Sequence, residues 1–155
     1  MRNFKKWICV FTAAMMLFAM TACGATEPET QTVVLAYEQE GTVINYQLDA
    51  EGDIVQTLTQ TSTLDCSAYT DDQMTAILSS LDQFKDTYAD IEGVTYTTNQ
   101  EGDTIVEKIV IDATNADTLS TLSEQGLLPI DGSASRISLE KTVESLKEQG
   151  WTVKE

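Results

Sequence analysis

A change of hydrophobic periodicity near Thr70 is the feature of this chain that most constrains its fold. Before Thr70, apolar and polar residues alternate, which is the pattern of β-strands with one buried face. After it, the apolar residues take a helical spacing and lie along one stripe. A chain that makes several strands before its first helix is typical of α+β domains, in which helices cover one face of an antiparallel sheet.

Three strand segments precede this change, at residues 33–37, 42–49 and 54–61. The first two alternate apolar and polar residues, and the third is rich in β-branched residues, which favour strands. The intervening stretches, QEG and AEGD, contain the turn residues of short hairpin connections. We therefore predict a three-stranded antiparallel meander.

A helix of about five turns should follow the meander. Thr70 and Gln73 have the spacing of a capping box at its start, and Gly93 follows its end. We expect the helix to pack on the sheet through one apolar stripe. The residues of that stripe are Met74, Ile77, Leu78, Leu81, Phe84 and Tyr88.

A second hairpin should follow this helix, with strands at residues 94–99 and 104–112. The second of these strands is apolar on both faces, which favours a position inside the sheet. Its turn, NQEGD, resembles the turn DAEGD of the meander, and the two lie 50 residues apart. They suggest two related strand–turn–strand units, although turn chemistry alone also converges on this composition.

Two shorter helices complete the predicted domain. Asn115 and Ser138 are the expected N-caps, and Gly126 and Gly150 the expected stops. Trp151 should fold back onto the core. The whole arrangement predicts an α+β domain with one antiparallel sheet of about five strands and helices packed on one face.

The start of the chain is predicted to be a secretory signal. Three basic residues precede an uncharged apolar run at residues 8–20, and no acidic residue occurs before Glu27. A spanning helix needs about 20 apolar residues, and this run is shorter. A basic segment followed by a short apolar run is typical of a signal peptide.

The end of this signal, Met20-Thr21-Ala22-Cys23, resembles a bacterial lipobox. The resemblance implies cleavage between Ala22 and Cys23 and a diacylglycerol on the Cys23 thiol. Two acyl chains hold a protein stably on a membrane, whereas one does not. The alternative is an ordinary secretory signal that ends near a cysteine.

The predicted organisation has three parts. Residues 1–22 form the signal peptide, residues 23–32 a flexible tether after the lipidated cysteine, and residues 33–155 one domain. We expect the mature protein to be extracytoplasmic, held to the bacterial membrane of the cell envelope through its N-terminal diacylglycerol.

The charge of the chain excludes some partners. The formal net charge is −16, with 25 acidic residues, and loss of the signal makes it three units more negative. Such a surface repels nucleic acid and anionic lipid headgroups. We therefore expect no nucleic-acid partner.

Several kinds of catalytic and cofactor site lack their residues. Histidine is absent, so Ser-His-Asp and Cys-His catalysis and histidine zinc sites are excluded. No Walker loop or GxGxxG motif occurs. Cys66 is the one cysteine beyond the lipobox, and we expect it to be a buried small side chain rather than a reactive thiol. We predict no cofactor and assign no catalytic residue.

A weak calcium site in the turn DAEGD is the sharpest metal hypothesis. Asp49, Glu51 and Asp53 occupy alternate positions, like the first ligands of an EF-hand loop. Glycine stands at the fourth position instead of the sixth, and Gln60 replaces the bidentate glutamate. We therefore favour a hairpin turn and keep these three acids only as weak metal candidates.

Arg136 is the only arginine beyond the signal peptide. It directly precedes the last predicted helix, where backbone N–H groups could help it to hold an anion. In so acidic a chain, we favour a salt bridge to one of the carboxylates.

Four stretches of the chain carry a resemblance to a known family: IEGVTYT, EKIVIDAT, GLLPIDG and ISLEKTVESLKEQGW. They resemble the YehR-like bacterial lipoproteins, a family without an established activity. The resemblance implies an α+β domain on a lipid anchor and carries over no catalytic residue.

Two functions remain open from the sequence. We favour a non-enzymatic binding module, which would hold another envelope protein or a small extracytoplasmic ligand. The alternative is a hydrolase that acts on cell-wall or polysaccharide material through paired carboxylates. A deep cleft with two close carboxyls, one with a raised pKa, would favour the hydrolase. A flat apolar patch or an uncovered strand edge would favour a protein partner.

Overall fold

The computed structural model describes residues 28–39, 41–128 and 135–154. The predicted signal peptide (1–22), the cleavage site at Ala22 and Cys23, and lipidation of Cys23 lie outside these residues. The elements, in chain order, are β1 (Thr30–Gln39), β2 (Thr42–Glu51), β3 (Ile54–Asp65), α1 (Asp71–Ala89), β4 (Val94–Glu101), β5 (Thr104–Asp112), α2 (Ala116–Glu124), α3 (Leu139–Glu148) and β6 (Thr152–Lys154).

The predicted α+β class is confirmed, and the sheet has six strands in the order β4-β5-β3-β2-β1-β6. Every neighbouring pair is antiparallel. The sixth strand is the small difference from the expected five: Thr152 to Lys154 pair with β1, opposite Ala36 to Val34. The first strand also begins earlier than expected, at Thr30 instead of Val33.

Both predicted Glu-Gly-Asp hairpins are present. Gly52 connects β2 to β3 with φ +57°, and Gly102 connects β4 to β5 with φ +60°. Glycine adopts these left-handed conformations without the steric cost that a side chain brings. β5 lies between β4 and β3, as its two apolar faces predicted.

A β-bulge in β3 shapes the core. Asp49 pairs with Thr57 and Ala50 with Val55, so Gln56 is an extra residue without a partner on β2. Val55 and Leu58 are three positions apart, and strict alternation would send them to opposite faces of the sheet. With the bulge, both join the same hydrophobic core.

The core lies on one face of the sheet and receives side chains from all three helices. Among the described residues, every buried member of this cluster lies between β1 and the start of α3. The cluster consists of Leu35, Leu48, Ala50, Val55, Leu58, Tyr88, Ile91, Ile109, Ile111, Ala113, Leu119, Leu122, Leu128, Ile137 and Leu139.

The predicted helix starts are confirmed by their caps. The side chains of Thr70 and Gln73 form the capping box of α1. Asn115 Oδ1 accepts from the backbone N–H groups of Asp117 and Thr118 at the start of α2. Ser138 caps α3 by accepting from the N–H of Lys141. Within the described residues, no helix has the length and apolar character to cross a membrane.

One edge of the sheet gathers three separated parts of the chain. Thr30, the first residue of β1, pairs with Glu51, and Glu51 pairs with Ile54 across the turn. Ile54 in turn forms an isolated β-bridge with Ser138. The start of β1 and the start of α3 therefore lie at the same edge.

Candidate functional site

The β2–β3 turn fixes the beginning of α3. The carbonyl of Asp53 accepts from the N–H of Leu139 at 2.9 Å. The Asp53 carboxylate accepts from Ser138 Oγ at 2.7 Å and from the N–H of Glu140 at 2.8 Å. These bonds, first the backbone N–H of Glu140 and then the Ser138 hydroxyl, hold the pKa of Asp53 below its ordinary value. A carboxylate at a helix N-terminus is favourable because the N–H groups there are positive.

Trp151 fixes the other end of α3. Gly150 turns the chain with φ +94°, and the N–H of Trp151 donates to the carbonyl of Leu146 at 3.0 Å. The indole stacks on Tyr46, with ring centroids 4.7 Å apart, and also contacts Tyr37 at 5.5 Å. Since β6 then pairs with β1, both ends of α3 are held against the sheet.

A cleft of about 570 Å³ lies between α3 and the sheet. Its volume falls in the range of small-molecule sites, which are mostly apolar with a few polar groups. Its apolar lining comes from both the sheet and the helix. The described lining residues are Tyr46, Leu48, Leu58, Leu128, Arg136, Ile137, Ser138, Lys141, Thr142, Ser145, Leu146, Gln149 and Trp151.

None of these lining residues is a carboxylate, although the chain has 25 acidic residues. Two of them are cations, Arg136 and Lys141, and both side chains are exposed. The salt bridge expected for Arg136 is not formed with any described carboxylate, since the one ion pair of this part of the chain joins Lys154 to Glu38 at 3.5 Å. The cleft therefore differs in charge from the rest of the surface.

Tyr46 forms part of the cleft wall. Burial raises the pKa of its phenol, and the charge of Tyr88 adds to this effect. Tyr46 is therefore a neutral hydrogen-bonding group at physiological pH. The cleft combines an aromatic and aliphatic wall, hydroxyl groups and two cations, which suits binding more than proton transfer.

The carboxyls with displaced pKa values lie outside this cleft lining and are lowered. The pKa of Asp65 is held down by hydrogen bonds from Ser67, first from its backbone N–H. The pKa of Asp112 is held down by Thr114, first through its hydroxyl. Lowered values mark carboxylates that stay ionised, whereas a general acid needs a raised one.

Cys66 is buried, with 3% of its surface exposed, and carries a free thiol. Burial raises its pKa, and the charges of Asp65 and Asp103 raise it further. A thiol with a raised pKa is a weak nucleophile at neutral pH. The interpretation of Cys66 as a buried small side chain agrees with this placement.

The weak calcium candidates have other partners. Asp49 accepts from Thr32 Oγ1 at 2.6 Å and from Gln47 Nε2 at 2.9 Å. Asp53 caps α3, and Glu51 is exposed at the end of β2. Among the residues that the structure describes, no group of three or more acids or cysteines is placed to hold a metal ion.

A second surface of interest lies on α1. Its predicted apolar stripe is present, but Tyr88 is the only residue of the helix that is buried. Leu78 is 38% exposed and Phe84 46% exposed. Met74, Ile77 and Leu81 of this stripe are half-buried. The stripe is fully buried only near the C-terminal end, where Tyr88 stacks on Tyr96 with centroids 5.3 Å apart.

Sequence reasoning singled out Arg136 as a possible anion ligand but missed Lys141 and the cleft. The distribution of basic residues along the sequence could have pointed to a cationic region near the end of the chain. Four of the six basic residues after position 22 lie in the last twenty positions, namely Arg136, Lys141, Lys147 and Lys154. Tyr46 and Trp151 could be assigned to a strand and to the core, but their stacking depends on the tertiary fold.

Comparisons with known proteins concern the fold and the family. No curated protein matches the chain. The NMR structure of the E. coli YehR protein is similar, with 17% identity and a TM-score of 0.63, over 81% of this chain and 91% of that chain. An NMR structure of a Streptococcus pneumoniae TIGR4 protein is also similar, with 11% identity and a TM-score of 0.59, over 91% of this chain and 94% of that chain. At these identities, the likeness shows a shared fold.

The family assignment rests on a sequence match over most of the chain. Residues 29–152 match the family described as "Protein of unknown function (DUF1307)". This range begins just before β1 and ends at the first residue of β6, so it covers β1 to β5 and all three helices. The expected YehR-like resemblance is confirmed, and the chain belongs to the DUF1307 family of proteins of unknown function.

Proposed function

We propose that this protein is a lipid-anchored, extracytoplasmic binding module without enzymatic activity, and that the cleft beneath α3 holds a small ligand. The observation that carries the proposal is the cleft itself: about 570 Å³, walled by Tyr46, Trp151 and leucines, with no carboxylate among its described lining residues. Such concave apolar sites with a few polar groups are where small molecules bind.

The hydrolase alternative gains no support from this region. A glycosidase needs two carboxyls that flank the bond to be cleaved, and its general acid needs a raised pKa. The described lining residues of the cleft contain no carboxyl, and Asp53, which lies beside it, has a lowered pKa.

The anchor is proposed from the N-terminal sequence. If the lipobox-like stretch is processed as such, Cys23 would carry a diacylglycerol and the membrane would be the first partner of the protein. Cys23→Ala should release the protein from the membrane fraction and remove the lipid mass from its N-terminal peptide. Cys9→Ala is the matched control, because Cys9 leaves with the signal peptide, and this variant should stay anchored. A Cys23→Ala protein that remains membrane-bound with unchanged mass would refute lipidation.

Ligand binding is tested on the segment from Pro28 to the end, which contains the buried cluster of the described residues and in which Trp151 is the only tryptophan. A ligand screen that follows Trp151 fluorescence should find compounds that shift its emission, and NMR should map them to α3 and Tyr46. Ser145→Trp should fill the cleft and abolish binding, since Ser145 lines it. Because Ser145→Trp adds a second tryptophan to the segment, ligand binding to this variant is measured by NMR instead of fluorescence.

The control variant is Glu144→Trp on the adjacent position. Glu144 lines a different groove, on the other side of α3, so this variant should keep the ligand affinity of the parent segment. Equal loss of binding in both variants would show that the tryptophan disturbs the helix and not the cleft. Compounds that bind both variants as well as the parent would place the ligand elsewhere.

A protein partner in the envelope is a second candidate, and the exposed stripe of α1 is the observation that favours it. Exposed apolar side chains such as Leu78 and Phe84 are common in interaction surfaces. In-cell crosslinking of the anchored protein, with Cys23→Ala as the control, tests this candidate. One partner captured only with the anchored form would support it, and the absence of any specific partner for an abundant folded protein would contradict it.

A further inference from the structure

We infer that the ligand of the α3 cleft is an amphiphilic carboxylate, with an apolar body along the leucine and aromatic wall and its anionic head at Arg136 and Lys141. This inference rests on the proposed function and adds the chemical class of the ligand. It depends on three features of the cleft: its charge, its polarity from end to end, and the occupied helix N-terminus beside it.

The first feature is the local charge. The protein as a whole repels anions, because its formal net charge is −16. An anion can therefore bind only where cations outnumber carboxylates, and the described cleft lining has two cations and no carboxylate. Neither cation forms an ion pair with a described acid. Lys141 does act on the nearby Asp53 carboxylate through its charge, so Arg136 is the cation least engaged by the described acids.

The second feature is the arrangement of these groups along α3. Arg136 precedes the helix and Lys141 lies in its first turn, whereas Trp151 follows the helix end. Ten helical residues separate the two ends by about 15 Å. The cleft thus has a cationic end and an aromatic end, which matches a ligand with one charged head and an elongated apolar body.

The third feature excludes the helix N-terminus as the anion site. The Asp53 carboxylate already accepts from the N–H of Glu140 at 2.8 Å, and Ser138 Oγ caps the N–H of Lys141 at 3.3 Å. A ligand carboxylate would be held by the Arg136 guanidinium and the Lys141 ammonium. Since Asp53 also lies near Lys141, the arginine should contribute more to the affinity.

The test compares decanoate with decanol and decyltrimethylammonium, which share one apolar body and differ in head charge. Each probe is titrated into the segment from Pro28 onward while Trp151 fluorescence is followed, at low salt. Decanoate should bind about tenfold more tightly than decanol, because a charged hydrogen bond adds at least that factor. The cationic probe should bind most weakly.

Single-charge variants locate the head group. Arg136→Gln should weaken decanoate binding about tenfold and leave decanol binding unchanged, and Lys141→Gln should have a smaller effect in the same direction. Lys147→Gln is the matched control, since Lys147 lies on α3 but lines the groove on its other side. It should leave the affinity for decanoate unchanged. All these side chains are exposed, so folding is checked simply by circular dichroism.

The outcomes separate the ligand class from the proposed function. If decanol and decanoate bind equally and Ser145→Trp blocks both, the cleft binds small molecules but does not select an anion. In that case this inference fails and the proposed function stands. If no decyl probe binds but an unrelated ligand shifts the Trp151 emission, the inference again fails while the proposed function stands. Recruitment of the segment to anionic phospholipid vesicles through Arg136, without binding of free decanoate, would overturn the assignment to a free amphiphile.

Discussion

The longer helix α1 buries fewer side chains in the core than the shorter helix α2. α1 has 19 residues and a complete capping box, but buries only Tyr88. α2 has nine residues and buries Thr118, Leu119 and Leu122. Both leucines of α2 have no exposed surface, whereas Leu78 on α1 is 38% exposed. Amphipathic spacing predicts which face of a helix is apolar, but the neighbouring elements decide whether that face is covered.

The largest effect should come from the buried side of this comparison. Leu122→Ala should lower the free energy of unfolding by about 2–5 kcal/mol, because it leaves a cavity beneath α2. Urea denaturation of the segment from Pro28 onward, followed by circular dichroism, measures this change. Leu81→Ala, at a half-buried position of the α1 stripe, is the matched substitution and should cost clearly less. An equal loss in both variants would remove the distinction between the helices.

The N-caps should show the same contrast at a smaller scale. Asn115→Ala removes the acceptor of two backbone N–H groups at the start of α2, and we expect a loss of about 1 kcal/mol in global stability. Thr70→Ala removes the corresponding acceptor from α1. Its cost should appear mainly as faster amide hydrogen exchange in the first turns of α1, because that end can open locally. Exchange in α1 that tracks global unfolding would contradict this.

Acid should weaken the two helix connections in different ways. Asp65 precedes α1 and Asp112 precedes α2, and hydrogen bonds hold the pKa of each below its ordinary value of 3.8. A lowered folded-state pKa contributes stability that is present above 3.8 and is lost as the pH falls through the folded value. Below pH 3.8, the free energy of unfolding of Asp112→Asn should therefore fall less steeply with decreasing pH than that of the parent. Urea denaturation at several pH values measures this difference.

Asp65→Asn is the matched control for this pH experiment. Because Asp65 supports the connection to the mostly exposed helix α1, its substitution should change the pH dependence of amide exchange in α1 more than that of global unfolding. The reverse result, with Asp65 controlling global acid stability and Asp112 without effect, would mean that α1 is the more tightly coupled helix.

The smallest effect should come from the exposed stripe. Phe84→Ser removes a side chain that is 46% exposed, and should change the free energy of unfolding by less than about 1 kcal/mol. The same substitution should lower the binding of a hydrophobic dye to the native protein, since it removes apolar surface. A loss of stability as large as that of Leu122→Ala would show that α1 is covered in solution.

The sequence predicted an element well where neighbouring residues alone mark its periodicity or its first residue. β5 has the predicted bounds, Thr104–Asp112, and the caps Thr70, Asn115 and Ser138 begin the three helices as expected. The strand β6 was missed because three residues carry no detectable alternation. It forms because the chain, on leaving α3, lies next to the edge of β1 that does not pair with β2.

The bulge and the cleft could not be predicted for a related reason. Gln56 becomes an extra residue through the pairing of β3 with β2, and no local pattern marks it. The cleft requires Tyr46 of β2, Leu128 after α2 and Trp151 after α3 to meet, although they are far apart in sequence. Arg136 was visible as an isolated cation, but its separation from the described carboxylates is a property of the folded chain.

The shared edge of Thr30, Glu51, Ile54 and Ser138 also sets an orientation. Only six residues lie between Cys23 and Thr30, and even fully extended they reach about 20 Å. With Cys23 in the bilayer, as proposed, the tether would keep the edge that carries the start of α3 within about 20 Å of the lipid surface. Arg136, two residues before Ser138, would then stand at the bilayer side of the domain. An amphiphile leaving or entering the membrane would meet the cationic end of the cleft first.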